Sequence, residues 1–300
     1  MFSTRGLIPG ALLTLLLACT AACGGSGAAA SGKPQVIGSF YPLAWLAERV
    51  GGGNAAVTTL TKPGTEPHDL ELTPRQIVDV GKARLVVYLK DLQPAVDQAV
   101  AEHARTSSLD AASLVKTLPA AGTEQRPGHH DPHLWLDPSR LATVATTLGE
   151  RLARIDPAHA TAYRANARTL TGELTALDGE FRAGLATCTQ KTIVTSHAAF
   201  GYLAERYGLT QVPVSGIDPE AEPSPKRLAE LTRQIRRTGV TTVFTETLVS
   251  PKVAQTLAQE AGVRTATLDP IEGLPQGSRD DYASVMRHNL TTLRTALDCS

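Results

Sequence analysis

Short β-branched runs alternate with amphipathic helical patterns along most of the chain. VIGSF at 36–40 precedes the helical pattern PLAWLAERV, which Gly51-Gly52-Gly53 closes. VTTL at 57–60 leads through a long polar loop to PRQIVDVGKA, and LVVYL at 85–89 leads to PAVDQAVAEHA. The second half repeats the scheme. TIVT at 192–195 precedes AAFGYLAERYG, and QVPV at 211–214 precedes PKRLAELTRQIRRTG. TTVFT at 241–245 precedes PKVAQTLAQEAG, and RTATL at 264–268 precedes a closing helix from about Asp280 to Leu297. Such alternation predicts parallel strands buried between helices. Ser224-Pro225 and Ser250-Pro251 each offer a capping hydroxyl followed by proline at the first helical position, so both predict helix starts.

Between the halves the pattern changes. From Pro138 to about Ala186 there is only helical periodicity, interrupted at Asp156-Pro157. Asp156 can cap and Pro157 can open a second helix, which at about 1.5 Å per residue reaches roughly 40 Å. The expected fold is therefore α/β, with two lobes, each a mostly parallel central sheet flanked by helices, joined by a long rigid helix. The expected boundaries are an N-terminal lobe at 34–155, a linking helix at 156–187 and a C-terminal lobe at 188–300. No internal repeat is strong enough to identify from the sequence.

The first residues stand outside this fold. MFSTRGLIPGALLTLLLACTAAC carries one early cation, Arg5, then an apolar core from Ala11 to Ala18 and small residues. That pattern predicts a signal peptide at 1–22, since the apolar run is too short to span about 30 Å of bilayer. Cys23 ends it, and GGSGAAASG follows as part of a flexible tether at 23–33. The arrangement resembles a bacterial lipoprotein processing site with Cys23 as the lipidated residue. Cys19 is a second candidate; Cys23 is preferred because the tether begins directly after it. The plain alternative is a soluble secreted protein with an incidental cysteine.

Charge and composition narrow the partners. The 29 basic and 29 acidic residues cancel, which removes the case for nucleic acid or an acidic membrane surface as the main partner. Aromatic content of 4% speaks against a sugar-stacking site. The two remaining cysteines, Cys188 and Cys299, form an even pair in an oxidising compartment and read as a disulfide. It would tie the final helix to the start of the second lobe.

In open α/β sheets, ligands bind beyond the carboxyl ends of the strands. His68 follows VTTL in TKPGTEPHDLELTP, and His133 lies in HHDPHLWLDP ahead of a helix that Asp137 caps. Ser196 and His197 follow TIVT, and Asp269 follows TATL in LDPIEGL. Three imidazoles and a carboxylate, one pair from each lobe, suit zinc. Taken singly, each has a plain reading: a histidine after a strand caps or packs, and an aspartate before proline makes a turn. His103, His159 and His288 fall in helical patterns and read as surface or packing residues. The case rests on the combination.

TEPHDLELTP, DPHLWLDP, TSHAAFGYLAERYGL and LDPIEGL resemble, in this order, four signature segments of the zinc/manganese solute-binding proteins of ABC importers (ZnuA-like). The resemblance runs over essentially the whole chain beyond the leader. It implies His68, His133, His197 and Asp269 as metal ligands, Zn2+ as the transported ligand, and no enzymatic activity. It implies an ABC permease and its ATPase as partners, with a zinc metallochaperone as a further candidate. The carrier would be a monomer outside the cytoplasm, held at the outer face of the bacterial cytoplasmic membrane only by its lipid anchor. Manganese binders of this family tend to carry glutamate at the third ligand position and zinc binders histidine. His197 points to zinc, since imidazole in place of a hard carboxylate disfavours manganese. A manganese carrier is the alternative within the family.

Two features depart from or extend the pattern. Many zinc members carry a long His-rich loop before DPH; here GTEQRPGHHDPH holds only His129 and His130 beyond His133. These two either relay zinc or belong to a solvated loop. Glu66 and Glu246 are spare carboxylates near the presumed cleft, and Glu246 could orient a ligand histidine or displace Asp269 as fourth ligand. Readings from other classes are a zinc hydrolase, with three histidines, a water and Glu66 or Glu246 as base, and a surface adhesin using the metal structurally. Against the hydrolase stand a fourth protein ligand and the lack of HExxH spacing.

Overall fold

Two sheets of identical strand order carry the chain, and the buried apolar runs explain both. The computed structural model describes residues 32–120 and 129–300. The predicted signal peptide, Cys19, Cys23 and nearly all of the predicted tether therefore lie outside the described residues. In the first sheet β1 (Gln35–Gly38) lies between β2 (Ala56–Thr59) and β3 (Leu85–Tyr88), and β3 pairs with β4 (Ser108–Asp110), all in parallel. In the second, β5 (Thr192–Thr195) lies between β6 (Thr210–Pro213) and β7 (Thr242–Thr245), and β7 pairs with β8 (Arg264–Thr267), again in parallel. The interior strands read as continuous apolar runs because both faces are covered by helices.

The helices follow the predicted periodicity. They are α1 (Tyr41–Gly51), α2 (Pro74–Lys82) and α3 (Pro94–Ala99) around the first sheet. Then come α4 (Pro138–Ile155) and α5 (Ala160–Leu185), followed by α6 (Gly201–Tyr207), α7 (Pro225–Thr238), α8 (Lys252–Ala261) and α9 (Tyr282–Ala296). Several starts are chemically fixed. Thr73 and Gln76 form a reciprocal capping box for α2, Asp281 and Ser284 another for α9, and Ser224 accepts the Arg227 N–H to open α7.

Three local expectations shift. β4 has no counterpart in the sequence reading, because its three residues, SLD, are half-buried and carry no apolar run. Ser250 does not cap α8; the helix begins at Lys252, with Pro251 in the capping position. Asp156 caps no helix through its side chain. It is bound instead by the Tyr163 hydroxyl at 2.7 Å and His159 Nδ1 at 2.8 Å, and a short turn at Pro157–His159 precedes α5.

The 26 residues of α5 span about 39 Å. This helix packs along α4 and also touches α1 and α9, so both sheets are braced on it. One buried apolar cluster runs through both lobes, joining Val36, Leu85 and Trp135 to Leu170, Leu174, Ile193 and Phe244. Two smaller clusters fill the outer faces, one around Val80, Val86 and Val96, the other around Leu231, Val243 and Leu257. Charge adds a clamp. Asp178 of α5 accepts Arg206 of α6 at 2.8 and 2.9 Å, Arg182 at 3.0 Å and the Tyr207 hydroxyl at 3.2 Å. Burial pushes the Asp178 carboxyl up, but the two guanidinium groups outweigh it and hold the carboxyl below its usual value.

Cys188 and Cys299 are joined as a disulfide that closes a 111-residue separation. It fastens the end of the last helix beside the lead-in to β5, where Gln190 N–H also donates to Leu297 C=O. In the chain-entropy account a loop of that length stabilises by about 4–5 kcal/mol. Replacing both cysteines by serine is expected to cost about 2–5 kcal/mol in urea unfolding. An unchanged unfolding midpoint would show that the bridge contributes nothing.

Candidate metal centre

His133 and His197 stand next to regular elements and His68 within the loop between β2 and α2, and each is locked by a neighbour. His68 lies in the polar loop between β2 and α2, where the Glu66 carboxylate accepts its backbone N–H at 2.9 and 3.0 Å. His133 precedes a short turn at Leu134–Leu136, and Asp131 Oδ1 receives both its backbone N–H (2.9 Å) and its Nδ1 (2.7 Å). His197 follows β5, and Glu246, just past β7, accepts its backbone N–H at 3.1 Å and its Nδ1 at 2.6 Å. These two residues sit where the strand order reverses in the second sheet, the usual ligand position in such folds. With Nδ1 given to a carboxylate, the Nε2 lone pair of His133 and of His197 faces inward.

The three rings meet. His68, His133 and His197 place their Nε2 atoms 3.2, 3.3 and 3.3 Å from one oxygen, Oε1 of Glu272, and the Nε2 atoms of His133 and His197 are themselves 3.3 Å apart. All four ligand atoms lie within 4.8 Å of one another. A tetrahedral ion with bonds of about 2.0–2.1 Å requires donor atoms about 3.3–3.4 Å apart. Four of the six edges stand at that separation.

The fourth group is Glu272, whereas the sequence reading names Asp269. Asp269 is turned to a different task. Its Oδ1 accepts the Ile271 N–H at 2.7 Å and its Oδ2 accepts the Thr247 hydroxyl at 3.0 Å, while Asn289 bonds its backbone on both sides. This turn holds Ile271 at φ +57°, a left-handed conformation costly for a β-branched residue. Trp135 secures it by donating its indole N–H to Pro270 C=O at 2.7 Å. The reversed backbone brings the next side chain, Glu272, into the histidine cluster. A signal was present: LDPIEGL holds two carboxylates, and the one next to proline is the natural turn-former.

The other named residues stand apart from the four. Glu66 approaches His68 Nε2 at 3.9 Å. Burial raises its carboxyl, and His68 partly offsets this. His129 and His130 are exposed, and His130 forms an isolated bridge with Pro119. Ser196 donates its hydroxyl to Phe244 C=O, fastening β5 to β7.

Electrostatics follow from enclosure. Burial alone would neutralise Glu272, but His197, His133 and His68 hold its carboxyl well below the usual range. Burial likewise disfavours a charged His197, yet Glu246 and Glu272 raise it well above the ordinary imidazole value, and Asp131 and Glu272 raise His133. The metal-free cluster is thus a carboxylate held against two imidazoles, His133 and His197, whose surroundings favour the protonated form.

A family described as zinc-uptake complex component A, periplasmic (ZnuA), matches residues 36–296. The chain belongs to this family. Among ZnuA relatives, the zinc-binding protein AdcA of Streptococcus pyogenes serotype M6 is 36% identical over 296 residues, covering 90% of this chain and 57% of its own length. The chain therefore spans little more than half of that relative. It spans 97% of the high-affinity zinc uptake system protein ZnuA of Bacillus subtilis, at 31% identity and 95% coverage of this chain. The crystal structure of the Zn(II)-bound ZnuA-like domain of Streptococcus pneumoniae AdcA superposes with TM-score 0.77 and 33% identity, covering 89% of this chain and all of that domain. The two parallel-sheet lobes and the long helix are thus the ZnuA architecture.

Histidine-selective NMR of the metal-free protein should show the His133–His197–Glu272 cluster keeping a proton above the ordinary imidazole range. Glu246→Gln removes the carboxylate that favours this proton, so it should shift that titration to lower pH. Titration at the ordinary value in the unsubstituted protein would contradict the arrangement.

Proposed function

We propose that the chain captures Zn2+ through His68, His133, His197 and Glu272 and delivers it to an ABC permease driven by its ATPase, without covalent chemistry. One observation carries the reading: three imidazole nitrogens and one carboxylate oxygen converge, four of their six separations standing at the edge length of a zinc-sized tetrahedron. Three nitrogen donors favour zinc over manganese, which binds most weakly in the divalent series and prefers oxygen. Glu272 occupies the position that a catalytic zinc keeps open for water, which supports a carrier over a hydrolase. Asp131 and Glu246 orient His133 and His197, while Asp269 orients the turn that presents Glu272.

The leader supports an extracytoplasmic protein anchored by lipid at Cys23. The anchor would keep a monomeric carrier at high effective concentration beside its permease. Because one acyl chain binds membranes marginally, a multi-chain lipid is required. A metallochaperone could load the site. His129 and His130, exposed beside the segment leading to His133, are placed where a transient zinc contact would be useful.

Glu272→Ala should cost more zinc affinity than Asp269→Ala, whose effect through the turn should stay within about 10–100-fold. Competition titration with a chromophoric chelator measures both, and a larger loss for Asp269 would reassign the fourth ligand. Zinc must also displace the proton held by the cluster. Since His197 and His133 are raised, the protonated form competes below their elevated values, and affinity should already be falling above the ordinary imidazole pH. Affinity that stays flat between pH 8 and 5 would exclude histidine ligation.

A further inference from the structure

The four groups are graded in depth. The side chains of His133 and His197 are wholly enclosed, that of Glu272 is 1% exposed and that of His68 is 8% exposed. The least covered of the four, and so the nearest to solvent, is His68. Glu66, at 12%, is more exposed than any of the four, and its Oε1 stands 3.9 Å from His68 Nε2. That single nitrogen thus faces two carboxylates, Glu272 on the enclosed side at 3.2 Å and Glu66 nearer solvent.

We propose that Glu66 is a transit carboxylate, the first protein group to take a zinc ion from solvent and the last to hold it on release. The inference rests on the zinc-binding reading above. The ion would exchange a water for a Glu66 oxygen, then exchange that oxygen for His68 Nε2 and Glu272 as it moves inward; its charge does not change and only ligands are swapped. Glu66 is already held for this task. Its carboxylate accepts the His68 backbone N–H, so it needs no loop rearrangement, and its oxygens keep lone pairs beyond those bonds.

A competing route exists. A cavity of about 280 Å3 adjoins Glu272 and is lined by Tyr41, Trp45, Glu48 and Lys62 among others. Lys62 opposes the approach of a cation there, and Glu272 is almost fully covered on that flank as on the others. The Glu66 side carries no such opposing charge among the groups that contact His68.

The test is stopped-flow uptake of Zn2+ by the metal-free full chain, comparing Glu66→Gln and Glu48→Gln with the unsubstituted protein. Glutamine keeps a carbonyl acceptor for the His68 N–H but removes the charge. Glu66→Gln should slow association about fivefold at low salt, the size expected for one screened unit charge acting on a divalent ion in water, and the difference should shrink as salt rises. Glu48→Gln should associate at the unsubstituted rate, and the Co2+ absorption spectrum of Glu66→Gln should be unchanged. The proposal is overturned if Glu66→Gln associates normally, if Glu48→Gln is the slow variant, or if the Co2+ spectrum changes, which would make Glu66 a ligand. Failure of the underlying reading shows separately, as absence of stoichiometric zinc binding at equilibrium by the unsubstituted chain.

Discussion

A carboxylate with 1% exposure must be compensated, and the arrangement of this protein can be read outward from that requirement at Glu272. An isolated buried charge costs far more than folding can offset, so it survives only with partners at close range. Three imidazoles supply them, at 3.2–3.3 Å from one oxygen. The rings in turn need fixing, since a histidine that rotates offers the wrong nitrogen. Asp131 and Glu246 fix two of them through Nδ1, which places three carboxylates around the site. That excess of negative charge is what a divalent cation relieves, and in its absence protons do so in part.

Holding four groups from two lobes within one ion's reach demands a stiff frame. The main apolar cluster is continuous through both lobes, and Trp135 crosses between them: it packs edge-on against Phe40, donates to Pro270 C=O and receives Tyr282 at its own carbonyl. Gly64 N–H, on the loop leading to His68, donates to Leu274 C=O two residues beyond Glu272. Gly64 adopts φ +78°, where a side chain would be strained. Together with α5, against which elements of both lobes pack, and the Asp178 clamp, these contacts oppose rotation of one lobe against the other.

Much of this was legible in the sequence because it rests on local signals. Alternating apolar runs gave the strand and helix order, and the histidines following or flanking them gave three of the four clustered groups. The exceptions have physical causes. β4 is held by pairing with β3 rather than by its own apolar residues, so no periodicity marks it. The choice between Asp269 and Glu272 depends on a left-handed Ile271, a conformation that propensity disfavours and that only the surrounding bonds to Trp135, Asn289 and Thr247 sustain. The shared strand order of the two sheets left no detectable repeat either, because covering two sheets with helices requires only apolar residues, not the same ones.

The same strain clarifies why the fourth group is a glutamate three residues beyond the first carboxylate of the turn. An aspartate two residues past β8 is close to the backbone and is best satisfied by backbone N–H groups, as Asp269 is by Ile271. Glutamate, one methylene longer and placed after the reversal, clears the turn and reaches the Nε2 atoms of all three rings. One carboxylate thus builds the turn and the other uses it. Division of labour between two acids in one heptapeptide lets a flexible side chain be aimed by backbone geometry rather than by further buried polar partners, which an already acidic site would accommodate only at rising electrostatic cost.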